Sequence, residues 1–277
     1  LFVLRILVLS FLIVALARPR TVDISNKTKT TRGIDIVMAT DVSGSMLAKD
    51  LKPNRLESLK KVAANFVNDR PNDRFGIVVY AAESYTKSPV TSDKSVVINA
   101  IKSIQYDNII KDGTGIGMGL ATAVNRLKDS KAKSRVIILL TDGVNNAGFI
   151  EPETASQIAK EYGIKVYTIG IGTNGMAEFP YAYAPNGNGF LFKMMPVEID
   201  QELMKTIAKN TGGKYFRASS NSKLEEIYNE INKLETTEIE ELKFYDYDEK
   251  YRPFVWIAGI LVLIEFGLRN TVFRSFI

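Results

Sequence analysis

The chain has 277 residues, of which 45% are hydrophobic, so it can bury one sizeable globular core and still contain additional apolar segments. It contains no histidine and no cysteine, which excludes disulfide bonds, Ser-His-Asp and Cys-His catalysis, and the usual zinc and haem ligands. The formal net charge of +5 comes from Lys and Arg residues that are spread along the chain, so nucleic-acid binding is not expected.

The first predicted element is an apolar segment, residues 1–17, which contains one charged residue, Arg5, and is followed by Arg18 and Arg20. It is slightly short of the roughly 20 residues that span a bilayer, but snorkelling arginines can extend such a segment. We therefore predict a transmembrane helix over 1–17 and a juxtamembrane linker over 18–32. The alternative is a signal peptide that is cleaved after the "ALA" at the end of this segment.

From residue 33 to residue 234, short strands are predicted to alternate with helices. Four segments are aliphatic and β-branched on both faces, as buried parallel strands are, namely 33–40, 74–81, 135–141 and 165–172. Six segments have a helical period, namely 55–67, 95–104, 117–127, 152–162, 200–209 and 223–234. This alternation predicts a doubly wound, mostly parallel α/β sheet, a Rossmann-like architecture, over residues 33–234.

Two segments depart from this alternation. Residues 173–196 are rich in Gly, Pro, Asn and aromatic residues, and are predicted to be an inserted loop or hairpin that carries specificity, or else a surface excursion. Residues 235–253 are acidic and aromatic, and are predicted to be a linker or a stalk helix. They lead into a second predicted transmembrane helix, 254–270. Within it, Glu265 is expected to face another helix or the membrane interface, because an acidic side chain facing lipid is costly.

Two of the predicted strands end directly at an aspartate, Asp41 and Asp142. Both are expected at one rim, because ligand sites of doubly wound sheets form at the carboxyl ends of the strands. Ser43 and Ser45 alternate with other residues in the turn after Asp41, and Thr114 precedes a predicted helix. Because only oxygen ligands are available, we predict a hydroxyl-rich site for Mg²⁺, with Mn²⁺ or Ca²⁺ as alternatives. Its open position would bind a carboxylate from outside.

Each part of this pattern has an ordinary explanation when it is taken alone. An Asp-x-Ser-x-Ser sequence also occurs in helix caps and turns, and Thr141-Asp142-Gly143 also occurs where strands end. The glycines at positions 113, 115, 117 and 119 resemble a nucleotide-binding loop, but they follow polar sequence rather than a clean strand. The metal site is favoured because three loops carry these residues in the right order.

The segments "DVSGSM", "DGTGIGMGLATAVNRL" and "VIILLTDGVNNAG" resemble the three loops of a von Willebrand factor type A (VWA) domain with a complete metal-ion-dependent adhesion site (MIDAS). The resemblance implies that Asp41, Ser43 and Ser45 are first-loop ligands, Thr114 the second-loop ligand and Asp142 the third-loop ligand. It also implies that the hydroxyls bind directly and the carboxylates directly or through water. In that family a Glu or Asp of a protein partner usually completes the Mg²⁺ shell.

The "ALARPR" exit from the first span, the segment "TGGKYFRASSNSKLEEIYNEINKLE" and the closing span resemble the bacterial aerotolerance (Bat) membrane proteins, in particular BatA-like ones. This resemblance implies sibling Bat proteins and a MoxR-type AAA+ ATPase as partners. It also implies the bacterial inner membrane as the location, with the domain in the periplasm. Because positive residues flank both spans on both sides, the distribution of charge does not decide the orientation, and a cytoplasmic location of the domain is the alternative.

These observations favour a non-enzymatic function, a membrane-anchored, divalent-metal-dependent protein-binding module that contacts membrane lipid and an acidic residue of a partner. A first alternative is a Mg²⁺-dependent hydrolase that uses Asp41 or Asp142 as nucleophile or base. It is disfavoured because most of the ligands are neutral hydroxyls and Lys111 is the only basic residue in the loops. A second alternative is a passive structural membrane anchor whose metal only holds the loops together.

Overall fold

The structure is a computed structural model, and it describes residues 2–25, 33–106, 111–173, 175–184, 189–197, 199–235 and 244–271. Its internal contacts divide the chain into two units. The larger unit is Thr31–Ile239, and the smaller unit combines Leu1–Thr30 with Glu240–Ile277.

The helices and strands follow one another in the order expected of an α/β domain with flanking segments. The strands are β1 (Arg20–Ser25), β2 (Asp35–Asp41), β3 (Arg74–Tyr80), β4 (Ser84–Thr91), β5 (Arg135–Thr141), β6 (Lys165–Ile171), β7 (Gly175–Tyr183), β8 (Phe190–Val197), β9 (Tyr215–Ala218) and β10 (Phe244–Glu249). The helices are α1 (Phe2–Leu16), α2 (Arg55–Asn68), α3 (Lys94–Lys102), α4 (Ile116–Leu127), α5 (Pro152–Glu161), α6 (Gln201–Thr211), α7 (Asn221–Leu234) and α8 (Arg252–Asn270).

The larger unit is built on a six-stranded sheet with the strand order β4-β3-β2-β5-β6-β9. Its strands pair in parallel, except that β4 is antiparallel to β3. The predicted doubly wound, mostly parallel α/β sheet is therefore confirmed. The four predicted strands overlap β2, β3, β5 and β6, and the six predicted helices overlap α2 to α7. The edge strands β4 and β9 were not predicted.

Both faces of this sheet are covered by helices. In β2, Ile36 and Met38 pack into a core with α2, α3 and α7, whereas Val37 and Ala39 pack into a core with α4, α5 and α6. Burial on both faces explains why the central strands are aliphatic at every position rather than at alternate ones. The same arrangement brings the carboxyl ends of β2 and β5 side by side, because these two strands are parallel neighbours.

The segment predicted as an inserted loop or hairpin contains an antiparallel pair, β7 and β8. It follows β6 and returns to α6, so it is an excursion from the carboxyl edge of the sheet. The backbone N–H of Lys49, just after the first site turn, donates to the carbonyl of Glu178 in β7 at 3.1 Å. This bond holds the hairpin beside the strand ends.

In the smaller unit, α1 contacts α8 and β1 pairs with β10. The Arg5 Nε, near the start of α1, donates to the Glu265 carboxylate, near the end of α8, at 2.6 Å. The start of one helix therefore lies beside the end of the other, so the two helices run antiparallel. At the other end, Phe11 and Phe254 stack with ring centroids 6.5 Å apart. Glu265 thus faces another helix, as predicted.

The segments that join the apolar helices to the larger unit differ from the prediction. Residues 18–32 were predicted as a linker and 235–253 as a linker or stalk helix, but β1 and β10 form an antiparallel ribbon with Arg20 opposite Glu249. The predicted stalk residues 236–243 lie outside the described residues.

The apolar helices differ in length. Within the described residues, α8 has 19 residues and is long and apolar enough to cross a membrane, by length and composition. The other apolar helix, α1, has 15 residues and is shorter than a usual span. The pair of transmembrane helices therefore stays a prediction.

Candidate metal centre

The five residues predicted as metal ligands lie at the ends of neighbouring strands. Asp41 is the last residue of β2, and Ser43 and Ser45 follow in a turn that continues into a short 3₁₀ helix, Gly44–Leu47. Asp142 directly follows β5, and Thr114 stands two residues before α4. The parallel pairing of β2 with β5 is what places the two aspartates at the same rim.

Hydrogen bonds and short contacts connect these five residues. The Ser45 Oγ donates to the Asp142 Oδ1 at 2.6 Å, and the Ser43 and Ser45 Oγ atoms are 2.9 Å apart. The Thr114 Oγ1 lies 3.4 Å from the Ser43 Oγ. The Asp41 Oδ1 accepts the backbone N–H of Ser43 at 2.9 Å, which fixes the start of the turn. The structure therefore brings all five predicted residues together.

Three residues that were not predicted hold these ligands in place. The Thr141 Oγ1 donates to the Asp41 Oδ2 at 2.8 Å. The Asn146 Oδ1 accepts the backbone N–H of Thr114 at 2.8 Å, and the Asn145 Oδ1 accepts that of Ile116 at 2.9 Å. The Asn145 and Asn146 bonds tie the loop after β5 to the loop before α4. The signal was present in "TDGVNN", where two asparagines follow the aspartate, because Asn side chains commonly bond to nearby loop backbone.

Burial makes the ionised forms of the two aspartates costly. Asp41 is 0% exposed and Asp142 is 2% exposed. Burial, together with the negative charge of Asp142, raises the pKa of Asp41 to about 7. Burial also raises the pKa of Asp142, although Arg55 opposes this shift. A positive charge between the two carboxylates would stabilise both of them in the ionised form.

A buried arginine that was not predicted contacts the centre. Arg55 is the first residue of α2 and is 1% exposed. Its Nη1 donates to the Asp142 Oδ2 at 2.7 Å, while its Nε and Nη2 donate to the two carboxylate oxygens of Asp50, both at 2.7 Å. Since Arg55 occupies Oδ2, the other oxygen of Asp142, Oδ1, is the one directed at Ser45. Lys111 is therefore not the only basic residue to consider at this rim.

The Arg55 network also reaches the base of the hairpin. The Asp50 Oδ2 accepts the backbone N–H of Thr173 at 2.9 Å, just before β7. Gly172 approaches the guanidinium so closely that a Cβ there would lie 2.5 Å from the Arg55 Nη2. A chain of buried polar contacts thus joins Asp142, Arg55, Asp50 and the hairpin.

The glycine series of the second loop is explained by packing. A Cβ at Gly117 would lie 1.9 Å from the carbonyl oxygen of Ile150, and a Cβ at Gly119 would lie 2.3 Å from the ring of Tyr80. These glycines let α4 lie directly against β3 and the loop before α5. Both lie inside α4 rather than in the loop before it, unlike the glycines of a phosphate-binding loop.

The donor set suits a hard divalent cation. It offers two carboxylates and three hydroxyls, which are the ligand types that Mg²⁺, Mn²⁺ and Ca²⁺ accept. Among the residues that the structure describes, no three Asp or Glu side chains are grouped so that they could hold a metal. The hydroxyl-rich rim is therefore the candidate centre, and it fits an ion whose remaining positions are completed by water or by an outside ligand.

A surface cavity adjoins the centre. It has a volume of about 200 Å³ and lies between the site turn and the β7–β8 hairpin. It shares Ser45 with the candidate centre, so that its occupant would lie beside the metal ligands. Its lining residues are Gly44, Ser45, Tyr106, Asp112, Phe179, Pro180, Tyr181, Ala182 and Phe190.

Comparisons with known proteins place this geometry in a family. The model of the von Willebrand factor type A domain matches residues 35–230. The conserved hypothetical protein BatB from Bacteroides thetaiotaomicron is similar in structure, with 32% identity, a TM-score of 0.62, and coverage of 73% of this chain and 98% of that one. An aerotolerance-related membrane protein from Bacteroides fragilis has 31% identity, a TM-score of 0.62, and coverage of 73% and 100%.

A more distant structure carries a metal. Proximal thread matrix protein 1 from the mussel byssus, solved with a zinc-occupied MIDAS motif, has 25% identity and a TM-score of 0.56, and the match covers 80% of this chain and 49% of that one. In that protein, zinc therefore occupies the MIDAS motif. Because the family model covers well over half of the chain, the chain belongs to the von Willebrand factor type A domain family.

Proposed function

We propose that this protein is a membrane-anchored protein-binding module that uses a divalent metal, held by Asp41, Ser43, Ser45, Thr114 and Asp142, to bind an acidic residue of a partner protein. The observation that carries this proposal is the convergence of two buried carboxylates and three hydroxyls at the ends of β2 and β5. Mg²⁺ is the proposed ion, with Mn²⁺ or Ca²⁺ as alternatives.

The mixture of ligands decides what the centre binds. Ser43, Ser45 and Thr114 contribute neutral oxygens, so a bound cation keeps much of its positive charge and can take a further carboxylate. Asp41 and Thr114 are buried, whereas Ser45 is partly exposed and adjoins the cavity beside the hairpin. An outside carboxylate would therefore approach from the side of Ser45.

In the hydrolase alternative, a basic side chain beside the metal would stabilise the negative charge that develops on a substrate. Arg55 is the basic residue that contacts the centre, but two carboxylates occupy its donors and it is 1% exposed. It holds Asp142 in place rather than facing the open side of the rim. VWA domains act in general as interaction modules, and this arrangement is consistent with that role.

The cellular setting is proposed from the similar proteins and from the apolar helices. Similarity to BatB and to an aerotolerance-related membrane protein supports a place in a bacterial envelope complex with other Bat proteins and a MoxR-type AAA+ ATPase. The length of α8 supports anchoring in the inner membrane. Because α1 and α8 run antiparallel, α1 ends and α8 begins on the same side, which we propose to be the periplasm.

The test is a pull-down of the full chain from detergent-solubilised native membranes. Wild type in Mg²⁺ is compared with wild type in EDTA and with Asp41→Ala, and the bound proteins are identified by mass spectrometry. Glu161→Ala is the matched control, because it removes an exposed carboxylate at the end of α5, at the opposite edge of the sheet. Thr114→Ala is a second site variant that leaves both buried carboxylates in place.

Partners captured in Mg²⁺ by wild type and Glu161→Ala, but lost in EDTA and in both site variants, would support metal-dependent docking. The same partners in every sample would show that the anchor segments carry the assembly. The metal-docking proposal would then be wrong, and a passive anchor would be the better description.

A further inference from the structure

The cavity between the site turn and the β7–β8 hairpin has the dimensions of a site for one side chain. Its volume is about 200 Å³, whereas small-molecule sites usually measure about 300–1,000 Å³. It opens beside Ser45, one of the proposed metal ligands. A protein segment whose carboxylate reaches the metal would therefore place a neighbouring side chain over this cavity.

The walls of the cavity are mainly aromatic. Tyr106 and Phe190 meet edge to face with their ring centroids 5.5 Å apart, and Phe179 and Tyr181 line the hairpin side. Tyr181 is 56% exposed, so its ring is available to an outside group. Aromatic faces attract Lys and Arg side chains, because the ring carries negative charge density on its face.

One acidic side chain stands in this aromatic cavity. Asp112 is exposed, and its Oδ1 accepts the backbone N–H of Gly44 at 3.0 Å. This bond fixes the carboxylate against the turn that carries Ser43 and Ser45. A carboxylate beside aromatic walls favours a cation over an apolar group.

Within the described part of the chain, the two basic residues beside the cavity, Lys49 and Lys111, form no ion pair with Asp112. Lys49 belongs to the same rim, but its Nζ lies 3.6 Å from the ring centroid of Phe192. That contact also shows that an aromatic ring of this hairpin binds an ammonium group. Lys111, which precedes Asp112 in the chain, is exposed to solvent.

We propose that this cavity binds a lysine or arginine side chain from the same partner segment that supplies the carboxylate to the metal. The inference rests on the proposed function, which it makes more specific. The partner then carries an acidic and a basic residue a few positions apart, the first at the metal centre and the second against Asp112 and Tyr181. The acidic residue binds the metal, so binding depends on the metal. The basic residue selects among segments that carry an acidic residue.

The test uses acetylated and amidated pentapeptides of Gly that contain one Asp and one Arg, with the Arg one, two or three positions from the Asp on either side. Matched peptides replace the Arg by Gln or by Leu, and a further set replaces the Asp by Asn. Each is titrated into the full chain in detergent with saturating Mg²⁺ or with EDTA, and binding is followed by ligand-observed NMR. We expect one Asp-Arg spacing to bind about tenfold more tightly than its Gln counterpart.

Two variants test the residues of the cavity. Asp112→Asn removes its charge, and Tyr181→Ala removes an aromatic wall without touching the bond to Gly44. Each should reduce the advantage of Arg over Gln to about twofold or less. The matched controls are Asp129→Asn and Tyr162→Ala, which change exposed residues after α4 and α5, at the opposite edge of the sheet, and should keep the full advantage.

The outcomes separate this inference from the proposed function. If Asp peptides bind only in Mg²⁺ but Arg, Gln and Leu versions bind equally, or if the Leu version binds best, the cation site is wrong and metal docking stands. If no peptide binds in a way that requires both Mg²⁺ and Asp, both proposals fail.

Discussion

Replacing Arg55 by Met tests whether the buried guanidinium is part of the metal centre or only part of the core. Met is of similar length and carries no charge, so the substitution removes the ion pairs of Arg55 with Asp142 and Asp50. Removing one partner of a buried ion pair costs about 3–5 kcal/mol, because the other charge stays buried without compensation. For a domain of this size we expect the melting temperature to fall by roughly 6–20 °C without metal.

The decisive quantity is how much of this loss Mg²⁺ recovers. A cation at the centre would supply positive charge to Asp142, which has lost its contact with Arg55. The rise in melting temperature between EDTA and saturating Mg²⁺ should therefore be larger in Arg55→Met than in wild type. The assay is thermal unfolding of the full chain in detergent, at one fixed pH and one fixed Mg²⁺ concentration.

The matched control is Arg70→Met. Arg70 is also buried, and it is bonded to Asp73, to Asn232 and to the carbonyl of Glu235. It lies just before β3, at the edge of the sheet opposite the candidate centre. Its loss should lower the melting temperature by the same amount with and without Mg²⁺. If Arg55→Met behaves in the same way, the guanidinium does not take part in the charge balance of the centre, and the reasoning is refuted.

Two further predictions concern packing. Gly119→Ala should lower the urea midpoint of the full chain by an amount equivalent to about 1–3 kcal/mol, because its Cβ would lie 2.3 Å from the Tyr80 ring; an unchanged midpoint would contradict the packing explanation of the glycine series. The chain has no cysteine, so Phe11→Cys combined with Phe254→Cys should form a disulfide on mild oxidation in membranes, whereas Phe2→Cys with Phe254→Cys should not. A reversed crosslinking pattern, or loss of residue 11 from the mature protein, would show that α1 and α8 do not form this antiparallel pair.

The parts of the fold that were predictable are those whose residues carry a local signal. The central strands are aliphatic at every position because both faces are buried, and this pattern is visible without knowing the partners of each strand. The edge strand β4, "SYTKSPVT", is largely polar and contains Pro89. An edge strand tolerates both, because one of its sides is not paired with another strand. It therefore lacks the aliphatic pattern that marks the central strands. The strand β9 has only 4 residues, too few for any periodicity.

The candidate metal centre also has residues that the sequence predicts and residues that it does not. Asp41, Ser43, Ser45, Thr114 and Asp142 stand in loops at fixed offsets from strands and helices, so their convergence follows from the topology of the sheet. The contact between Arg55 and Asp142 joins residues 87 positions apart.

An arginine at the start of an amphipathic helix is ordinarily a surface residue, and only the structure shows that Arg55 is buried. The pairing of β1 with β10 was missed for the same reason, since it joins the two ends of the chain. What the sequence alone could not supply was therefore long-range polar and backbone pairing.

The charges around the centre explain why a divalent ion fits it. Asp41 and Asp142 are buried carboxylates and Asp50 is a partly buried one. Arg55 is the buried cation that contacts Asp142 and Asp50, so two of the three negative charges are left over. Burial, together with the negative charge of Asp142, raises the pKa of Asp41 to about 7, so the ionised form of Asp41 is costly unless a cation is near. A cation of charge +2 balances the excess. A partner carboxylate then adds a negative charge, which a basic residue of the same segment would offset outside the buried centre.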